Sequence, residues 1–383
     1  MSAALALPAR GAGRFAPTPT GRLHLGNART ALLAWLDARR AGLRTVLRVE
    51  DLDPSAIPPG CLEEQLADLA WLGLRFDEGP EEGGPVGPYR QSERADLYRG
   101  ALAALNAQAL LYPCWCSRRE VHDAARAPHA SDEGPVYART CAPRQRRPIA
   151  DLDALPVRRG GRRRCASTWR RRWAAAPSSS SMTPSPATSA SRWWRPWATS
   201  IVLRRDGVAA YQLACAWDDA AMGCTRVLRG ADLLPSTARQ RLPLRVLGLP
   251  EPVWAHVGLV VDAQGQRLAK RDGAIALAGL REAGVAPEVV RRLLARLSGL
   301  PDTADLDLLT EAFRLPGPEA VALPTEWLLM RRLLQAFVDE RVVLAVITFN
   351  LVVLLPARTR PCTPTMPRSS CWTMSAWSTS SAR

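Results

Sequence analysis

The sequence predicts an α/β fold built on a parallel sheet, and three observations carry that expectation. A short apolar strand start at Phe15-Ala16 runs through a Pro/Thr/Gly turn into a helix. Ala28, Ala31, Leu32, Trp35 and Leu36 recur on that helix at helical spacing, and Gly42 stops it. Thr45 to Val49 then forms a β-branched apolar run, completing a strand-helix-strand unit with short connections. A later apolar run, Val227-Leu228, ends in Arg229-Gly230-Ala231-Asp232, as parallel strands do where their carboxyl ends border a ligand crevice.

Between these runs the chain reads as alternating helix and loop. Pro58, Pro59 and Gly60 lead into a helix with Leu62, Leu66 and Leu69 on one face, and a Gly/Pro-rich loop from Gly79 to Pro88 precedes a helix beginning near Ser92. Ile201 to Leu203 reads as a strand, the residues from Arg204 to Gly207 as a turn, and Val208 to Leu213 as the approach to a helix. Val257 to Val261 reads as one short strand, and Pro287 starts a helix striped by Val289, Val290, Leu293, Leu294 and Leu297. Val342 to Leu355 is the one long apolar run. Its 14 residues fall short of the ~20 a membrane-spanning helix needs, so a buried helix is expected there.

Charge is distributed unevenly. The net +15 invites a nucleic-acid reading, yet residues 158–200 hold ten Arg and 357–383 hold four, with no acid in either stretch. Without those arginines the remainder carries a net charge of +1. Residues 158–200 also hold five Trp and a serine run without apolar periodicity. Three readings meet there: a basic aromatic arm for single-stranded nucleic acid, a disordered insert, or an out-of-frame stretch in a GC-rich coding strand. The composition favours the third, which resequencing the DNA tests. From about Glu326 the pattern breaks again, and the tail repeats the Arg/Ser/Trp/Pro bias, which leaves Cys362 and Cys371 without a functional role. Nine cysteines with no basic, apolar leader point to a reduced, cytoplasmic setting.

Four groups of residues carry candidate chemistry. Thr18, Thr20, His24 and Asn27 sit on a strand-to-helix turn, where exposed N–H groups and the helix dipole suit phosphate. Glu50-Asp51-Leu52-Asp53 closes a strand and faces the crevice. Arg267-Leu268-Ala269-Lys270-Arg271 follows a strand, and a lysine there can close over phosphates as a mobile point charge. Cys114 and Cys116, one residue apart, can present two thiolates to one zinc ion, and Cys141 supplies a third. Tyr137, His122 and His129 are the candidates for a fourth ligand, and spacing does not choose among them.

Together the segments RFAPTPTGRLHLGN, RVEDLD, AYQLA, VLRGADLL and RLAKR resemble, in order, the signatures of class I aminoacyl-tRNA synthetases of the glutamyl type. The resemblance covers residues 13–157 and 201–300. It implies a Rossmann-type nucleotide-binding domain with a parallel sheet, an inserted zinc module and a short helical C-terminal part. The implied boundaries are 1–111 and 201–275 for the two catalytic halves, 112–157 for the zinc insertion and 276–325 for the helical part. The stretches 158–200 and 326–383 lie outside the family pattern and are expected to be disordered or foreign. The Cys-x-Cys…Tyr-x-x-x-Cys pattern resembles that of the truncated branch of this family, which attaches glutamate to queuosine in the anticodon of tRNA(Asp). That likeness nominates Tyr137 beside Cys114, Cys116 and Cys141. It implies ATP with Mg²⁺, L-glutamate and queuosine-bearing tRNA(Asp) as partners of a monomeric enzyme. Arg14, Thr18, Glu50, Tyr211 and Arg229 are implied for glutamate, Thr18, His24, Asn27 and Lys270 for ATP, and His24 and Lys270 for catalysis.

Overall fold

The computed structural model describes residues 8–114, 147–152, 164–168, 199–204, 206–261, 276–324, 342–348 and 351–356. Cys116, His122, His129, Tyr137, Cys141 and Lys270 lie outside the described residues. The chain divides into two units, Met1–Arg331 and Arg332–Arg383.

The first unit begins with β1 (Ala12–Phe15), α1 (Leu25–Arg40) and β2 (Arg44–Leu47), the expected strand-helix-strand unit. Helix α1 starts where the sequence stops competing for extended backbone, and its cap is internal. His24 Nδ1 accepts from the N–H groups of Gly26 (3.1 Å) and Asn27 (3.3 Å), while Asn27 Oδ1 accepts from His24 N–H (3.3 Å). Helix α2 (Cys61–Trp71) follows the Pro-Pro-Gly turn, with Gly60 at φ +73° as its cap. Near Ser92 a single 3₁₀ turn, Gln91–Glu93, comes first, and α3 runs from Ala95 to Ala107.

Three antiparallel strands come next in order: β3 (Leu111–Cys114), β4 (Arg164–Thr168) and β5 (Thr199–Leu203). This corrects one expectation. The Arg/Ser/Trp-rich stretch contributes β4, paired with β3 from Leu111↔Ser167 to Cys114↔Arg164, and also the first two residues of β5. A backbone ladder needs only N–H and C=O groups in extended chain, which a search for apolar periodicity does not detect.

Helix α4 (Tyr211–Ala221), β6 (Cys224–Gly230), α5 (Leu234–Leu247) and β7 (Val253–Val257) return the chain to the main sheet. Its order is β2–β1–β6–β7, all parallel. Because β1 leads outward to β2 while β6 leads outward to β7, the order reverses between β1 and β6. A crevice therefore opens at the carboxyl ends of those two strands.

The pleat decides what faces that crevice. On one side of the sheet Ala12, Val46, Val227 and Trp254 join Ala216, Ala220 and Leu244 of α4 and α5 in a buried core. Two residues further along each strand, on the same side, stand Arg14, Arg48, Arg229 and His256, all buried. On the other side Gly13 admits α1, since a Cβ built there would lie 2.6 Å from the Ala38 methyl.

The run expected to form one strand over Val257–Val261 is two pieces. β7 ends at Val257, and β8 (Val260–Val261) pairs with β9 (Val321–Ala322). Gly258 separates them because the Glu319 carbonyl packs against it, leaving no room for a side chain. Arg29 of α1 fastens this junction, donating to the Gly258 carbonyl (2.7 Å) and to Ser298 Oγ (3.0 Å). Short helices α6 (Leu277–Glu282), α7 (Pro287–Arg296) and α8 (Leu306–Ala312) complete this unit.

In the second unit, β10 (Val342–Thr348) and β11 (Leu351–Pro356) pair as an antiparallel hairpin. The buried helix expected over Val342–Leu355 is thereby corrected. Clustered Val and Ile favour extended backbone, because branching at Cβ restricts their rotamers in a helix. Among the described residues no helix is long and apolar enough to cross a membrane.

The close approach of β1 and α1 gives a direct test. Gly13→Ala is expected to cost ~1–3 kcal/mol by overpacking, and adding Ala38→Gly to recover part of that loss, measured by urea denaturation.

Candidate active site

The crevice is lined by a buried network of charges that the three neighbouring elements bring together. Arg14, on β1, donates from Nε to Asp219 Oδ1 (3.2 Å), and Arg48, just beyond β2, donates to the same oxygen from Nη1 (2.6 Å). Arg48 Nη2 also donates to Glu50 Oε1 (3.1 Å), an oxygen that accepts from the Cys215 thiol as well (3.1 Å). The Glu50 backbone N–H donates to the Pro17 carbonyl (2.9 Å), tying the end of the β2 segment to the turn that carries Thr18.

Helix geometry explains the contribution of α4. Tyr211, Cys215 and Asp219 are spaced four apart and so share one face of the helix, directed at the sheet. Asp218, one position off that stripe, takes a different set of donors. Arg94 Nε (2.7 Å), Gln91 Nε2 (2.8 Å) and Tyr98 OH (2.8 Å) bind it, which joins α4 to α3 and the turn before it.

Burial and pairing set the protonation states. Burial would raise the Asp219 pKa, but Arg14 and Arg48 outweigh it and hold the carboxyl below its ordinary 3.8. Burial would lower that of Arg14, and Asp219 reverses the sign. The Cys215 thiol is pushed well up by burial and by Glu50, so it remains a donor. The Tyr211 phenol is pushed up by burial, then by Cys215 and Glu50, and is drawn down by Arg229 and Arg14. Tyr211 opens α4 one turn before Cys215, whose thiol meets Glu50, and so lies on the face of the helix that turns to the crevice.

Arg229 closes β6 on the other side of the crevice. It donates to Gln240 Oε1 (2.7 Å), Thr237 Oγ1 (2.7 Å) and His256 Nε2 (3.4 Å), and lies 4.7 Å from the centre of the Trp254 ring. Burial first, then Arg229 and Arg14, lowers the His256 pKa to about 3, so this imidazole is neutral at pH 7.

The structure thus brings Arg14, Glu50, Tyr211 and Arg229 together. Thr18 is exposed on the adjoining turn, and His24 with Asn27 caps α1. Ala276 bridges to His24, and the Leu277 N–H donates to the Leu23 carbonyl (2.8 Å). The segment containing Lys270 therefore leaves the described chain at Val261 and re-enters it beside His24. Of the four residues nominated for zinc, only Cys114 is described: it ends β3 and is 1% exposed. Among the described residues no cluster of three His, Cys, Asp or Glu side chains is placed to hold a metal.

Sequence reasoning missed Arg48, Cys215, Asp218, Asp219, Gln240 and His256. The signal for α4 was present: three polar groups spaced four apart in a helix otherwise rich in Ala. The signal for Arg48 was its place two residues after Val46 and two before Glu50, on the same side of the extended chain.

Removing one partner of a buried charge pair leaves the other uncompensated. Arg48→Met is therefore expected to destabilise the fold by ~3–5 kcal/mol. For Asp219, whose folded pKa is depressed, the stabilisation is fully present above pH 3.8 and disappears as pH falls through the lower folded value. Asp219→Asn should accordingly weaken the protein at pH 7 and narrow its stability difference between pH 7 and pH 3, read by chemical denaturation.

The family of class I tRNA synthetases (E and Q), catalytic domain, matches residues 12–312. A glutamyl-Q tRNA(Asp) synthetase of Symbiobacterium thermophilum is 52% identical over 293 residues, covering 76% of this chain and 87% of that protein. A glutamate–tRNA ligase of Alkalilimnicola ehrlichii is 41% identical, covering 79% of this chain and 62% of that protein. The crystal structure of glutamate-tRNA synthetase from Elizabethkingia anophelis superposes with a TM-score of 0.64 at 25% identity, covering 86% of this chain and 70% of the other. With a match across most of its length and the switch-point crevice in place, the chain belongs to the class I tRNA synthetases of the glutamate and glutamine type.

Proposed function

We propose that this chain activates L-glutamate with ATP in the absence of tRNA and transfers the glutamyl group to queuosine in the anticodon of tRNA(Asp). The observation that carries the reading is the crevice at the switch point, where a buried Arg229 has no carboxylate partner among the described residues. A dicarboxylate substrate supplies one. The second step is supported by relatives at 52% and 44% identity that bear the name glutamyl-Q tRNA(Asp) synthetase, against 41% for a glutamate–tRNA ligase.

In this reading Arg229, Arg14, Thr18 and Tyr211 hold glutamate, with paired hydrogen bonds from an arginine to a carboxylate. Glu50, fixed by Arg48 and Cys215, takes the α-ammonium. An oxygen of the α-carboxylate attacks the α-phosphorus of ATP, the bond from that phosphorus to the bridging oxygen of the β-phosphate breaks, and pyrophosphate leaves. His24, with Asn27 at the start of α1, faces the negative charge building on the α-phosphate, and Lys270 neutralises the departing pyrophosphate. Rate comes from positioning and electrostatics, with no covalent protein intermediate. Mg²⁺ accompanies ATP and offsets its charge. Cys114, Cys116, Tyr137 and Cys141 hold one structural zinc, a donor set whose thiolates match zinc chemistry. The enzyme acts as a cytoplasmic monomer, where its tRNA partner resides.

Glutamate-dependent ATP–pyrophosphate exchange without tRNA is the primary test. Lys270→Ala should lower that exchange by ~10²–10³-fold, in the range of losing one electrostatic donor, while the protein stays folded. Labelled glutamate should then appear on queuosine-containing tRNA(Asp) in a form independent of the 3′ end; an ester at the 3′ end assigns the chain to tRNA charging instead. Purified protein should contain one zinc per chain, and Cys114→Ser should lose it, read by metal analysis.

A further inference from the structure

The four buried arginines around the crevice are not equivalent. Arg14 pairs with Asp219, Arg48 with Asp219 and Glu50, and Arg94 with Asp218. Four guanidinium groups thus meet three carboxylates, and all seven side chains belong to residues at most 7% exposed. Asp51, also buried, is committed to Arg90 and Ser92. Among the described residues one positive charge of this group is left without a carboxylate partner, and it is that of Arg229.

What surrounds Arg229 keeps it that way. Its three acceptors, Gln240 Oε1, Thr237 Oγ1 and His256 Nε2, are uncharged, and Trp254 offers only a ring face. A neutral acceptor orients a guanidinium without cancelling its field, whereas a carboxylate does both. Thr237 Oγ1 is also 2.9 Å from His256 Nε2. With Nε2 used as an acceptor, the imidazole proton resides on Nδ1, which has no partner among the described residues. Gln240 Nε2 is likewise buried without a partner. A glutamate at position 240 would remove one of these unsatisfied donors and neutralise Arg229.

We propose that Gln240, Thr237 and His256 are specificity-determining positioning residues whose neutrality preserves an uncompensated positive charge in the amino-acid pocket. The pocket then matches a ligand of net charge −1, an amino acid with a second carboxylate, and disfavours its uncharged amide. This inference rests on the glutamate-activating reading above and deepens it.

Gln240→Glu is the test, because it is isosteric, keeps an acceptor for Arg229 and adds a negative charge beside it. In tRNA-free pyrophosphate exchange, KM for glutamate is expected to rise by ~100-fold, the order of losing an unopposed buried charge contact. KM for ATP should stay within ~3-fold, below the ~1 kcal/mol scale of a lost contact. The preference for glutamate over glutamine should shrink, and Tm should hold or rise. Gln240→Met, which removes the acceptor without adding charge, should raise KM for glutamate much less. An unchanged KM for glutamate in Gln240→Glu overturns the proposal, as does an equal loss in Gln240→Met. If Gln240→Glu does not fold, Thr237→Asp brings a carboxylate to the other side of the guanidinium and carries the same expectations. A wild-type chain with no glutamate-dependent exchange but firm exchange with another amino acid instead overturns the functional reading on which the inference rests.

Discussion

The Asp219 carboxylate is the constraint from which the crevice takes its shape. One oxygen accepts from Arg14 on β1 and from Arg48 beyond β2, while the aspartate itself belongs to α4. Three elements distant in sequence are therefore fixed at a single atom. Burying these charges is costly, and an apolar replacement of the same volume can match or exceed the stability of such a cluster. Its value lies in placement. Arg48 can hold Glu50 only because Asp219 fixes its other nitrogen, and Glu50 reaches the crevice only because its backbone is tied to Pro17.

The same side of the sheet serves as core at one end and as polar site at the other. Ala12, Val46, Val227 and Trp254 pack against α4 and α5, and the residues two positions later are Arg14, Arg48, Arg229 and His256. Strand pleating makes this transition abrupt, since residues two apart share a face. The apolar half holds the strands in register, and the register then decides which polar groups converge. A slip of one residue in β1 would replace Arg14 with Phe15 or Gly13 at the crevice.

Much of this was legible in the sequence because it depends on local pattern. The opening turn and helix, the strand-helix-strand unit, and the placement of Glu50 and Arg229 at strand ends all follow from periodicity and punctuation. What escaped depends on partners. Asp218 and Asp219 read as a pair of acids in a helix, and nothing local says that one meets Arg94 and the other Arg14 and Arg48. The break at Gly258 needs the Glu319 carbonyl, 61 positions on in the chain. The hairpin over Val342–Pro356 and the strand Arg164–Thr168 show a related limit. An apolar run of that length does not separate helix from strand, and a composition without periodicity does not preclude a backbone ladder.

The start of α1 shows how the structure alters a simple electrostatic expectation. An uncapped helix N-terminus offers its first N–H groups to an anion. Here two of them, from Gly26 and Asn27, already donate to His24 Nδ1. Accepting those bonds leaves Nδ1 without a proton, so the neutral imidazole carries its hydrogen on Nε2. The histidine thereby extends the positive end of the helix outward by the width of one ring. On the proposed reading, the group that faces a phosphate at this helix end is the His24 ring, in place of the two backbone N–H groups it caps. A lysine at position 24 would bring more charge, but it could not accept from the helix and would leave both N–H groups without their cap. Histidine is suited to the position because one nitrogen can close the helix while the other donates.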